Sequence, residues 1–214
     1  YRRRIDHCEG LVFSEKLRQR RLAQLEASGM KLVEHSIEQV DIAIAHFESL
    51  TDRDDKGRPR GFKRTLTADE QERAARFRFP EHRDRFIAAR SGLRELLGAY
   101  LGDPAATLRF RQGARGKPAL AGEATGLHFN LSHSGDRVLY AVARREVGVD
   151  LEVMDRQVDI AAVAERICTM REWTAFQALS AERQRDAFFS CWTRKEAVAK
   201  AIGEGLASGL STLE

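Results

Sequence analysis

Cysteine is scarce: Cys8, Cys168 and Cys191 are the three in 214 residues, odd in number and widely spaced. Such a set spells neither a disulfide framework nor a zinc motif, and it suits a reducing cytosol. Long apolar runs are missing as well. No stretch approaches the roughly 18 consecutive apolar residues of a membrane helix. No apolar segment follows the basic Tyr1-Arg2-Arg3-Arg4 start, as a secretory signal would require. There is no internal repeat and no low-complexity tract. No Gly-x-Ser-x-Gly elbow surrounds Ser132 or Ser134, which argues against a serine hydrolase. Neither sign of charge dominates: 36 Lys and Arg against 32 Asp and Glu leave +4. That mild excess suits an acidic partner, whether nucleic acid, a phosphate-bearing ligand or an acidic protein. With 43% hydrophobic and 32% charged residues the chain can build a core, as one domain or two small halves.

Residues 1–36 read as a separate extension, with a helix over Leu11 to Ala27 ended by Gly29. Val40 to Phe47 reads as a strand with Val40, Ile42 and Ile44 on its buried face. The charged run Thr51 to Lys63 reads as a loop. Thr67 and Glu70 have capping-box spacing and start a short helix that stops before Pro80. A longer helix follows over about Glu81 to Tyr100, with Phe86, Ala89, Leu93, Leu96, Leu97 and Tyr100 as its buried stripe. Four strands are expected next, at Thr107 to Arg111, Leu127 to Ser132, Val138 to Ala143 and Glu146 to Val153. A hairpin turn at Ser134-Gly135-Asp136 joins the middle two. Helices over about Asp159 to Ile167, from Thr169 with Glu172 completing a second capping box, and over Ala181 to Ile202 close the chain. Helices, then antiparallel strands, then helices argue an α+β fold.

The sharpest local pattern is Val147-Gly148-Val149-Asp150-Leu151-Glu152. On a strand, Asp150 and Glu152 share the face opposite the valines, roughly 7 Å apart at Cβ. Two carboxylates that close repel unless something positive lies between them, and oxygen ligands suit Mg²⁺. An ordinary strand with a wet acidic face has the same pattern. In the last helix Trp192, Glu196 and Lys200 lie in one row, beside a mostly apolar row of Phe188, Cys191, Lys195, Ala199 and Ile202. Glu196 and Lys200 therefore flank the buried edge, either as a third carboxylate with a phosphate-binding cation or as an ordinary i,i+4 ion pair.

Ser132 and His133 stand at a strand end beside a glycine turn, where they could hydrogen-bond a phosphate. Arg115-Gly116-Lys117-Pro118 reads as a basic turn, either phosphate-binding or simply solvated. Arg73, Arg76, Arg78, Arg83, Arg85 and Arg90 could pair bidentately with phosphate or carboxylate, or form the wet face of the long helix.

Taken in order, Gly116-Lys117-Pro118, Phe129-Asn130-Leu131-Ser132-His133-Ser134, Val147 to Glu152, and Trp192-Thr193-Arg194-Lys195-Glu196-Ala197 with Lys200 and Gly203-Glu204-Gly205-Leu206 resemble the motif series of 4′-phosphopantetheinyl transferases of the surfactin-synthetase-activating type. The resemblance runs from about Val40 to the end and includes the Arg-Phe-rich segment near Ala75 to Phe79. It implies an α+β fold of two similar α/β halves with antiparallel sheets related by a pseudo-twofold, here residues 37–145 and 146–214. Members continue past the Gly-x-Gly-Leu motif, so it also implies an incomplete C-terminal half. The implied reaction moves the 4′-phosphopantetheine arm of coenzyme A onto a serine of an acyl or peptidyl carrier protein, with release of 3′,5′-ADP. By the same resemblance Asp150, Glu152 and Glu196 would hold Mg²⁺ or Mn²⁺. Lys200 would contact the phosphate, Ser132, His133 and Lys117 would bind the nucleotide end, and Arg73 and Arg85 would add basic contacts. Glu196, or a water it holds, would take the serine proton. A cytoplasmic monomer acting without nucleic acid or membrane completes the expectation. Two rivals stand beside it: a metal-dependent nuclease or phosphodiesterase, and a non-catalytic module that binds carrier proteins.

Overall fold

The computed structural model of the protein describes residues 23, 25–27, 30–32, 41–47, 65–113, 116–122, 126–155, 157–203 and 209–213. The expected loop at 51–63, most of the helix from Leu11, and the Gly-x-Gly-Leu residues 204–206 lie outside the described residues. The chain forms two compact units, Tyr1–Met30 with Ser49–Leu108, and Lys31–Glu48 with Arg109–Glu214. No helix among the described residues is long and apolar enough to cross a membrane.

The first unit holds α1 (Ala68–Ala75) and α2 (Pro80–Leu101). The capping box forms as expected: the Thr67 N–H donates to Glu70 Oε2 at 3.0 Å. Pro80 opens α2, where its missing N–H costs nothing, and Gly102 ends it in the left-handed region at φ 77°. Ala89, Leu93, Leu96, Leu97 and Tyr100 are buried, as the periodicity requires. Arg90 takes the carboxylate-pairing alternative, and Arg94, with no role assigned from the sequence, joins it. Arg94 is only 1% exposed and Arg90 is half-buried, so neither belongs to a wet face. Arg94 Nε donates to Glu70 Oε2 at 2.7 Å and its Nη1 to the carbonyls of Ala105 and Leu108 at 2.8 and 3.0 Å. Arg90 Nε reaches Glu70 Oε1 at 2.5 Å. Burial alone would raise the Glu70 carboxyl, but the bonds from Arg94, the Thr67 N–H and Arg90 outweigh it and hold the group below its ordinary value.

In the second unit, β1 (Met30–Leu32), β2 (Asp41–His46), β5 (His128–Ser134) and β6 (Arg137–Ala143) form a sheet in the order β1-β2-β6-β5. Short β3 (Phe110–Gln112) and β4 (Pro118–Leu120) pair antiparallel beside it. The strand expected at Thr107 to Arg111 thus begins later, after a 3₁₀ turn at Ala105–Thr107. β5 and β6 make the expected hairpin, with Asn130 opposite Ala141 and Ser132 opposite Leu139. On β2 the fully buried positions are Ala43 and Ala45, while Ile42 and Ile44 are half-buried. Both faces of β6 are covered: Val138, Tyr140 and Val142 on one, Ala141 and Ala143 on the other.

The helices α3 (Ile160–Ile167), α4 (Met170–Gln177) and α5 (Ala181–Ile202) follow. The Thr169–Glu172 capping box forms, and α5 ends at Gly203, φ 76°. Phe188, Phe189 and Ala199 of α5 pack with Ala164, Ile167, Phe176 and Leu210. One residue leaves its expected place in the apolar row, Ile202, which is 55% exposed, while Lys195 stays in it, buried as an ion-paired group.

The fourth expected strand, Glu146 to Val153, does not form a backbone ladder. It is an extended segment parallel to β5, tied there by side chains. The N–H groups of Val149, Leu151 and Val153 donate to Asn130 Oδ1, Ser132 Oγ and Ser134 Oγ at 2.9, 3.3 and 3.1 Å. Because side chains stand between the two backbones, the period of two survives without sheet pairing. Val147 and Val149 pack on Leu139, Ala141 and Ala143. Gly148 lies directly under α5: a Cβ there would sit 2.0 Å from the Ala197 carbonyl oxygen and 2.4 Å from the Ala201 nitrogen.

Two outcomes follow from these contacts. Gly148→Ala forces α5 off the segment and costs about 3 kcal/mol or more, read by urea unfolding. The lowered Glu70 carboxyl contributes stability that is full above its ordinary value of 4.5 and is lost as pH falls through the folded value. Urea midpoints measured from pH 6 downward therefore fall for the wild type and fall less steeply for Glu70→Gln.

Candidate active site

The side-chain ladder of β5 delivers Asp150 and Glu152 to the same edge. The Ser132 hydroxyl donates to Asp150 Oδ1 at 2.9 Å and the Ser134 hydroxyl to Glu152 Oε2 at 3.1 Å. Each serine thus fixes one carboxylate with its proton and one backbone N–H with its lone pair. α5, seated on Gly148, brings the third carboxylate and the lysine. Lys200 Nζ donates to Asp150 Oδ1 at 2.5 Å and to Ser132 Oγ at 3.1 Å.

Glu196 is buried on α5, and its carboxyl is raised. Burial is the first cause, the Asp150 charge adds to it, Lys200 opposes it, and Glu152 contributes a further upward push. The four residues therefore form one electrostatic cluster. Two of its oxygens, Asp150 Oδ2 and Glu196 Oε1, are buried with no hydrogen-bond partner among the described residues. Buried acceptors of this kind are costly. An all-oxygen donor set with two such atoms fits a hard divalent cation of the Mg²⁺ class. The ligand atoms of Asp150, Glu152 and Glu196 are not themselves gathered within 4.8 Å of one another.

Of the residues expected at the nucleotide end, Ser132 joins this cluster and the others fall elsewhere. Ser132 is 7% exposed and committed to Asp150, Lys200 and the Leu151 N–H, so its hydroxyl is engaged inside the protein. His133 is exposed and meets the Phe47 ring edge-on at 6.2 Å between centroids. Lys117 closes the β3–β4 turn, its carbonyl accepting from the Gly113 N–H at 2.8 Å, but its side chain is not simply solvated. Its Nζ is 2.5 Å from Glu146 Oε2 and donates to the carbonyls of Val147 and Ala201 at 3.2 and 2.7 Å. Glu146 also meets His128 Nδ1 at 3.0 Å. Lys117 thus sits at the His128 end of β5, roughly 16 Å of strand from His133 at about 3.3 Å per residue, so the two do not share one point. Arg73 and Arg85 belong to the first unit, where the Arg73 guanidinium lies 5.1 Å over the Phe86 ring.

Sequence reasoning missed the cavity that Lys117 enters. It measures about 700 Å³ and is lined by Lys117, Pro118, Phe129, Glu146, Ala201 and Gly203, among others. Its parts are distant in sequence, and only the Gly116-Lys117-Pro118 motif hinted at it. Asn130 and Ser134 were also missed as supports. Their alternation with Ser132 was the available signal.

A family profile described as "4'-phosphopantetheinyl transferase superfamily" matches residues 146–214, and one described as "4'-phosphopantetheinyl transferase, N-terminal" matches residues 60–145. The chain is 44% identical over 146 residues to the 4′-phosphopantetheinyl transferase HetI of Nostoc sp., covering 67% of this chain and 62% of that protein. It is 32% identical over 171 residues to the 4′-phosphopantetheinyl transferase psf-1 of Bacillus pumilus, covering 80% and 72%. It is 31% identical over 163 residues to the human L-aminoadipate-semialdehyde dehydrogenase-phosphopantetheinyl transferase, covering 71% and 52%. The chain belongs to the 4′-phosphopantetheinyl transferase family. It spans 62% of the length of HetI.

Because the Glu196 carboxyl is raised, its ionised form costs the folded state. The associated stability is present at low pH and is lost as pH rises through the folded value. Glu196→Gln removes that cost, so in metal-free buffer at pH 7 its Tm should lie about 2–4 °C above the wild type for each kcal/mol relieved. The gap should close toward pH 4. A lower Tm for the variant at pH 7 would contradict the repulsion.

Proposed function

We propose that this chain transfers the 4′-phosphopantetheine arm of coenzyme A to a serine of an apo acyl or peptidyl carrier protein and releases 3′,5′-ADP. The observation that carries the reading is the convergence of Asp150, Glu152, Glu196 and Lys200, with two buried carboxylate oxygens unpartnered, in a chain of this family.

Asp150, Glu152 and Glu196 would hold Mg²⁺, or Mn²⁺, which accepts the same oxygen ligands. When bound, the cation supplies positive charge against the pyrophosphate. Lys200, on the rigid α5, would donate to a non-bridging oxygen of the β-phosphate, where negative charge grows during attack. The serine oxygen forms a bond to the β-phosphorus, and the bond to the bridging oxygen breaks. That oxygen keeps the electron pair and leaves as part of 3′,5′-ADP. The serine proton passes to Glu196, directly or through one water, and the raised carboxyl makes Glu196 the better base of the three. Ser132 would act by holding Asp150 and Lys200 together rather than by touching nucleotide. The cavity at Lys117 and Phe129 would take the nucleotide end, with Lys117 as its cation and Phe129 as its apolar wall. His133, Arg73 and Arg85 are retained as phosphate contacts, and residues 37–145 and 146–214 as the two halves. No disulfide joins Cys168 and Cys191, which suits a reducing cytosol; action as a monomer, away from membrane and nucleic acid, is kept as part of the proposal.

The test is to incubate the protein with coenzyme A, Mg²⁺ and an apo carrier protein and to weigh the carrier by mass spectrometry. A phosphopantetheine mass increase is expected. Asp150→Ala and Glu196→Ala should reduce the rate by about 10²–10⁴-fold with unchanged circular dichroism. A variant with near-full activity at saturating Mg²⁺ would sink the assignment. DNA cleavage without carrier modification would favour the nuclease, and carrier binding without modification the non-catalytic module.

A further inference from the structure

A second constellation lies in the same unit, outside the residues used above. Cys168 caps the C-terminus of α3, Glu172 is the third residue of α4, and Cys191 lies midway along α5. Their ligand atoms, two sulfurs and a carboxylate oxygen, all lie within 4.8 Å of one another. The spacing of the cysteines in the sequence hid this, because the residues converge only when three helices pack. We propose that Cys168, Cys191 and Glu172 form a site for a thiophilic divalent cation of the Zn²⁺ class, a structural clamp across α3, α4 and α5.

Three observations support it. The first is geometric. A tetrahedral zinc with about 2.3 Å bonds to sulfur and about 2.1 Å to oxygen spaces its ligand atoms about 3.6–3.8 Å apart, so small side-chain rotations close the set. The second is the charge balance. Lys195 Nζ lies 2.8 Å from Glu172 Oε2, so two thiols, one carboxylate and one ammonium sum to zero. A divalent cation that displaces the two thiol protons leaves the cluster neutral, so burial does not oppose the exchange. The third is ligand orientation. Glu172 Oε2 accepts from the Thr169 N–H at 2.8 Å and from Lys195, which fixes the orientation of the carboxylate. Ile167, Phe188, Trp173 and Trp192 belong to the same apolar cluster as the two cysteines, while Cys191 and Glu172 keep partial exposure, giving an entry path and room for a water as fourth ligand.

A redox-sensing dithiol is the competing use of two neighbouring cysteines. Burial pushes the Cys191 thiol up to about 12 and raises Cys168 too, whereas redox sensors need ready thiolates. A coordinating cation strips the proton itself, so the same burial does not disable the metal site.

The experiment titrates the reduced full chain with Co²⁺ and follows the thiolate-to-cobalt charge-transfer band, with Zn²⁺ as displacing ion. One equivalent of cobalt, release of about two protons and a raised Tm are expected. Cys168→Ser and Cys191→Ser should lose the band although Cys8 remains. Glu172→Gln keeps a side chain able to cap Thr169, so it should stay folded and bind at least about 10-fold more weakly. Asp150→Asn should keep the band, which separates this site from the carboxylate cluster. Absence of a thiolate band, or a band that survives both serine variants, overturns the proposal. So does a Cys168–Cys191 disulfide that closes readily in air and is not slowed by zinc.

Discussion

The ladder of side-chain hydrogen bonds from Asn130, Ser132 and Ser134 to the backbone of Val149, Leu151 and Val153 is the contact on which the second unit depends. An extended segment without a sheet partner has N–H groups to satisfy. Here β5 satisfies alternate ones with short polar side chains, which sets the register of the segment and leaves the intervening side chains free for other work. Serine suits this role because one hydroxyl both accepts and donates. Ser132 and Ser134 accept from the backbone and donate to Asp150 and Glu152 in turn. Register and carboxylate orientation are therefore set by the same atoms.

Gly148 adds the second constraint. Without a Cβ the segment lets the backbone of α5 approach to contact, and the helix then carries Glu196 and Lys200 to Asp150 as a rigid body. The result is three mutually repelling carboxylates beside one close cation. Burial first, and then that repulsion, raises the Glu196 carboxyl. The fold holds the charges in place through hydrophobic packing of α5 against Ala164, Ile167 and Phe176. The site is thus costly by itself and sustained by its surroundings, as expected where function and stability compete.

Much of this was legible in the sequence. Both capping boxes, the Pro80 start of α2, the β5–β6 hairpin and the whole of α5 follow from short-range rules, because caps, turns and helical stripes are decided within a few residues. The pairing of Asp150 with Glu152 followed from a period of two, and that period survived even though the strand did not. What was misread depended on partners far away. Val147 to Val153 has a strand's pattern, yet side chains stand where its ladder would be. Arg90 and Arg94 look like surface charges until Glu70 is found between them. Lys195 looks misplaced in an apolar row until Glu172 meets it.

The sequence by itself determined the chemistry available: carboxylates at Asp150, Glu152 and Glu196, a lysine a turn beyond, and the order of motifs that places the chain in its family. These are properties of residue type and near-neighbour spacing, which local geometry preserves. Only the tertiary structure decided which groups are engaged internally and which are left over. Ser132 proved to be a brace, Lys117 a cavity wall, Asp150 Oδ2 and Glu196 Oε1 the unpartnered oxygens, and Cys168 and Cys191 neighbours. The reason is that hydrogen-bond satisfaction and burial are settled by every element packed around a group, and most of those elements lie far from it along the chain.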